Sequence, residues 1–127
     1  MRYQELVNQL YSIEDITTFE FVENDNGWSI NQSRAYKSGL KKYRNNADIM
    51  RSHDQLLNFI KMHDPKTPPA MKSYPPEFYV HVMVHLPEKP FWAHLWGTRF
   101  GLLWRTTPGN IYLMCLGTHD DCGIGKF

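Results

Sequence analysis

From Phe91 to His119 the chain reads FWAHLWGTRFGLLWRTTPGNIYLMCLGTH, two apolar, aromatic-rich runs joined by Thr107-Pro108-Gly109-Asn110. A Pro-Gly turn between strand-forming runs predicts a hairpin. Pairing in a hairpin places residues distant in sequence on one surface, so His94, Arg99, Arg105 and His119 are set to share a sheet face. Two imidazoles and a guanidinium on one face supply proton transfer and anion stabilisation, the needs of phosphodiester cleavage. The plainer alternative is an ordinary half-buried hairpin, in which His94 is structural and both arginines are surface bases. His119, at a strand end where side chains become accessible, fits either reading.

The rest of the composition narrows the class. With 127 residues, 42% apolar and 21% charged, the chain is expected to form one domain over 1–127, large enough to bury a core. Its apolar runs are a few residues long, far below a membrane span. The opening MRYQELVNQLYSIEDITT contains acids and no apolar stretch, unlike a signal peptide. A cytoplasmic location and no membrane partner are therefore expected. Cys115 and Cys122 lack metal-ligand spacing and are expected as reduced thiols, Cys115 as a small buried hydrophobe.

Charge is unevenly spread. Residues 1–29 carry one base against six acids, and residues 30–62 carry seven bases against two acids. Lys37, Lys41, Lys42 and Arg44 fall in this basic middle, which could face the acidic opening or meet RNA phosphates. A solvated helix face is the bland alternative.

Hydrophobic spacing places a short helix over residues 3–13, then extended chain over 17–31 with a turn at Asn24-Asp25-Asn26-Gly27. Asn31 or Ser33 caps a helix through Tyr36, Leu40 and Tyr43. After Asn45-Asn46 a second, antiparallel helix runs from Ala47 to Met62. A Pro-rich loop follows, and then Tyr79 to Leu86 alternates as a strand, with His81 and His85 on its polar face. Two histidines at that spacing lie roughly 13–14 Å apart along a strand, too far to share a metal easily. The expected class is α+β, a small, mainly antiparallel sheet with a helical hairpin on one face. Trp92, Trp96, Phe100 and Trp104 read mostly as core, with one or two free to stack on bases. Gly123-Ile124-Gly125-Lys126 is not a phosphate loop, and no nucleophile elbow, dinucleotide fingerprint or zinc motif occurs.

AYKSGLKKYRNNADIM, the second helix with its Pro-Pro loop, AHLWGTRFGLLW and CLGTHDD together resemble bacterial toxins of the RelE superfamily, especially the YafQ-like branch. Ala93-His94-Leu95 and Gly117-Thr118-His119 are the best matches. The resemblance covers roughly residues 28–122, leaving 1–27 as an acidic N-terminal extension. It implies a small twisted sheet with an α-helical hairpin, and cleavage of mRNA, commonly on the ribosome. It also implies silencing by a protein antitoxin. His94 and His119 would exchange protons with the attacking 2′-hydroxyl and the leaving 5′-oxygen. Arg99 or Arg105 would stabilise the phosphorane, and Phe100 or Trp96 would stack on a base. Lys37, Lys41, Lys42, Arg44, His81 and His85 would contact RNA. No metal or cofactor is implied, since the RNA supplies the nucleophile. Arg99-Phe100 stands where the branch has Asp-Trp, with one extra residue before it, and Cys115 stands where an Arg precedes Gly-Thr-His. The rival expectation is a non-catalytic interaction protein on the same fold, a degenerate toxin or a phage-type binder of a host factor.

Overall fold

The computed structural model describes residues 12–96 and 99–122. Local chemistry sets the element boundaries. Ser12 opens α1 (Ile13–Thr17) through a capping box, its hydroxyl accepting from the Asp15 N–H while the Asp15 carboxylate accepts from the Ser12 N–H. The strands β1 (Phe19–Asp25) and β2 (Trp28–Ser33) are joined by Asn26 and Gly27, both at positive φ, as a tight hairpin requires. Ser33 then serves two elements. Its Oγ accepts from the Tyr36 N–H to cap α2 (Arg34–Tyr43) and donates to the Met114 carbonyl at 2.5 Å. Asn46 caps α3 (Ala47–Lys61). Two short 3₁₀ turns, Met71–Ser73 and Pro76–Phe78, lead into β3 (His81–Val82), β4 (Phe91–His94), β5 (Gly101–Thr107) and β6 (Asn110–Gly117).

The strands form one curled sheet in the order β1-β2-β6-β5-β4-β3, antiparallel throughout except where β2 runs parallel to β6. The class is α+β as expected. The helical hairpin covers one face, where Tyr36, Ile49, Leu56 and Ile60 pack against Trp28, Leu102, Trp104, Ile111 and Leu113. Gly39 permits this contact, because a Cβ there would stand 2.0 Å from the Leu116 carbonyl oxygen. A second cluster joins Ile16, Met83 and Leu86 to Trp92, Leu103, Met114, Cys115 and Cys122. By strand alternation Leu103 points away from Leu102 and Trp104, so this cluster fills the opposite face.

Three expectations are corrected or left outside. The strand over Tyr79–Leu86 is only His81–Val82. Tyr79 is left-handed (φ 48°), and the chain after Val82 turns so that Met83 and Leu86 are both buried. The Met83 N–H still bonds to the Pro90 carbonyl, but the Leu86 N–H bonds back to the Met83 carbonyl in a turn, which a continuing strand would not allow. The cysteines are not separate thiols: Cys115 and Cys122 form a disulfide across Cα atoms 5.8 Å apart. A β-bulge is the cause. Leu103 pairs with Cys115 but Trp104 with Leu113, so Met114 is the extra residue, and Met114 and Cys115 both enter the second cluster. The helix expected over residues 3–13 falls mostly outside the described residues, as does Gly123–Lys126.

Candidate active site

Strand register assembles the site. His81 lies opposite Trp92, His94 opposite Gly101, and Gly101 opposite Gly117. Residues directly opposite share a face, and so do alternate residues along a strand. His81, Trp92, His94, Gly101 and Gly117 therefore line one surface, opposite the helical hairpin. Both glycines make room for neighbouring side chains, Gly101 for Trp92 and Gly117 for Asp121. A Cβ on Gly101 would stand 2.3 Å from the Trp92 ring and 2.4 Å from the Ala93 carbonyl, so the absent side chain lets the indole lie across β5. Beyond Gly117 the chain leaves the sheet. There His94, Arg99, Thr118, His119 and Asp120 surround a cleft of about 370 Å³.

A compact turn holds His119 in place. The Asp121 carboxylate accepts from the Thr118 N–H at 3.0 Å and from the Tyr43 hydroxyl at 2.5 Å, and Lys42 approaches it at 3.3 Å. In return the Asp121 N–H donates to Thr118 Oγ1. Burial alone would raise the Asp121 pKa, but these donors and the Lys42 charge outweigh it and hold the carboxyl below its usual range. The disulfide closes the segment from the other side, so residues 116–121 are tied both to β6 and to the end of α2.

The imidazoles sense one another. The His81 and His94 ring centroids are 6.1 Å apart, and Tyr79 meets His94 edge-on at 6.0 Å. His119 stacks edge-on against Trp92 at 4.8 Å, and its Nε2 is buried with no hydrogen-bond partner among the described residues. Desolvation lowers the His119 pKa, and the charges of His94 and His81 lower it further, against a smaller opposing effect of Asp120. Both effects favour the neutral imidazole.

The structure therefore brings together His94, Arg99 and His119, with His81 beside them. The other sequence candidates lie elsewhere. Arg105 shares the face but sits four residues along β5 from Gly101, roughly 13 Å away, with its guanidinium stacked 4.2 Å over Tyr112. Phe100 packs against Tyr43 and the helical core. Trp96 lies in a separate cavity with Ser52. Lys37 pairs with Glu20, Lys42 with Asp121, and Lys41 and Arg44 are exposed near the end of α2. His85 is exposed in the turn after β3. The sequence reading missed Thr118, Asp120 and the Asp121 anchor, although Thr118-x-x-Asp121 has the spacing of a self-bonded turn. Among the described residues no group of three or more His, Cys, Asp and Glu could hold a metal. No helix among them is long and apolar enough to cross a membrane. Compared with known proteins, the chain gives no significant match to a family model, a curated protein or a solved structure.

Proposed function

We propose that the chain is a metal-independent endoribonuclease of the RelE/YafQ-like toxin class, acting on mRNA and commonly on the ribosome. The observation that carries this reading is the convergence of His94, Arg99 and His119 on one open cleft. The helical hairpin on a mainly antiparallel sheet, which the sequence resemblance implies, supports it as well.

In the reaction, His119, whose pKa is lowered by desolvation and by two neighbouring imidazoles, takes the proton of the ribose 2′-hydroxyl. The 2′-oxygen attacks the adjacent phosphorus and a new P–O bond forms. The P–O5′ bond breaks, and His94 as the acid delivers a proton to the departing 5′-oxygen. The products are a 2′,3′-cyclic phosphate and a 5′-hydroxyl. Arg99 neutralises charge gathering on the phosphorane oxygens, where its planar fork suits two oxygens at once. General acid and base catalysis of this kind contributes about 10²–10⁴-fold per group.

Induced expression of wild type and His119→Ala in bacteria, with primer extension on a reporter mRNA, tests the proposal. Growth arrest with discrete cuts, both lost in the variant, is the expected result. Intact message with soluble wild-type protein would overturn it. It would favour the interaction-protein reading, to which Phe21 and Val22, 55% and 44% exposed on edge strand β1, lend some support.

A further inference from the structure

The connection between β4 and β5 serves two surfaces. Arg99 faces the histidine cleft, while Trp96 lines a second cavity of about 260 Å³ with Arg51, Ser52, Gln55, Glu77 and Phe78. Trp28, Trp92 and Trp104 are fully buried, but Trp96 is 53% exposed. Its backbone adopts φ 58°, a left-handed conformation that bulky side chains rarely take, and its N–H is fixed by Ser52 Oγ at 3.0 Å. The fold thus holds an indole in water, at a backbone position that opposes it, above a cavity with a buried aromatic, Phe78, in its wall.

The polar lining has a pattern. Arg51 and Gln55 are four residues apart on α3 and so share a helix face. Glu77, from the 3₁₀ turn Pro76–Phe78, adds a carboxylate acceptor. The Arg51 guanidinium pairs with Asp48 in an exposed contact at 3.3 Å, an interaction weak enough to be exchanged. A flat stacking surface, a guanidinium, an amide and a carboxylate match a nucleobase, and guanine uses all of them. Its N1–H and 2-amino group donate to the carboxylate, and its O6 and N7 accept from Arg or the amide.

We propose that this cavity is a guanine-reading subsite for RNA held in the histidine cleft. It would place a guanosine on Trp96, close in the chain to the Arg99 that faces the cleft. The proposal rests on the ribonuclease reading, so its test is made on binding alone, in the full-length His119→Ala protein. Fluorescence anisotropy is followed with labelled uridine hexamers carrying G, A or C at one central position, and with the all-uridine hexamer.

The guanine hexamer should bind about tenfold tighter than the others, the discrimination of one good polar pair. Glu77→Gln should remove that preference, so that the guanine hexamer binds no tighter than the all-uridine hexamer to the same variant. Trp96→Ala should weaken binding of all four, and Trp96→Phe should restore most of it. Equal affinity for the four oligomers would overturn the subsite. So would a guanine preference that survives both Glu77→Gln and Trp96→Ala. A lysine-rich peptide binding more tightly than any oligomer would also overturn it, assigning the cavity to a protein partner. Guanine-selective binding without cleavage by wild type would leave the subsite standing and remove the nuclease reading. Cleavage without base preference would do the reverse.

Discussion

At the scale of single residues, the site depends on how three imidazoles share charge. His94 and His81 both lower the His119 pKa. In the ribonuclease reading, activity requires neutral His119, so the acidic limb of the pH–rate profile should fall below 6.5. Replacing His81 with Gln removes one repelling charge and should move that limb upward toward 6.5. A limb that stays put or moves down in His81→Gln would show that His81 does not act on the base. Gly101 has an equally local role. A Cβ there would strike the Trp92 ring, which in turn supports His119. Gly101→Ala should destabilise the protein by about 1–3 kcal/mol, read from a denaturant midpoint, and in the ribonuclease reading should reduce cleavage where the variant remains folded. An unchanged midpoint would mean that the indole has room to move. The β5–β6 hairpin was legible in the sequence because its Pro-Gly turn fixes the pairing, whereas the break after His94 that makes β4 a separate strand carried no such signal. Arg105 shares the face but lies farther along β5, because sharing a face does not settle distance along a strand.

At the scale of elements, the segment from Cys115 to Asp121 is held by two unlike fastenings, a disulfide and the Asp121 anchor to α2. Opening the disulfide by Cys115→Ser with Cys122→Ser should cost on the order of 2–3 kcal/mol, as expected for a short closed loop. In the ribonuclease reading cleavage should fall in parallel, because His119 lies within that loop. Full activity with the expected loss of stability would assign His119's position to Asp121 alone. The disulfide was hidden in the sequence for a concrete reason. Strict alternation would put Cys115 on the helix-facing side with Leu113, and only the bulge at Met114 turns it toward Cys122. Composition cannot locate a bulge. The strand expected over Tyr79–Leu86 failed for a related reason. The same alternating residues also satisfy a turn that buries Met83 and Leu86, and the positive φ of Tyr79, Glu88 and Lys89 was not encoded in any glycine. The two helices of the hairpin were readable, since Ser33 and Asn46 cap them by ordinary side-chain chemistry, whereas the short α1, Ile13–Thr17, was not.

For the molecule as a whole, burial of an ionisable group links stability to pH. His53 is buried in the helical hairpin, bonded through Nε2 to the Tyr36 hydroxyl at 2.7 Å and through Nδ1 to Asp54 at 2.9 Å. Desolvation lowers its pKa despite the neighbouring carboxylate. The unfolded chain then binds the proton more readily, so stability is full above about 6.5 and is lost as pH falls through the folded value. His119 acts in the same direction. The urea midpoint should therefore drop between pH 7.5 and 5.5, and His53→Gln should flatten that slope; a midpoint that rises toward pH 5.5 would contradict the assignment. Asp121, whose pKa is also lowered, adds its loss only in stronger acid. The parallel pairing of β2 with β6 carries a different consequence. The sheet is completed when the last strand slides between β2 and β5, joining segments about eighty residues apart. That same strand leads into His119. A chain without β6 would thus lack both the centre of its sheet and the frame that carries His119, so in the ribonuclease reading cleavage and completion of the sheet arrive together.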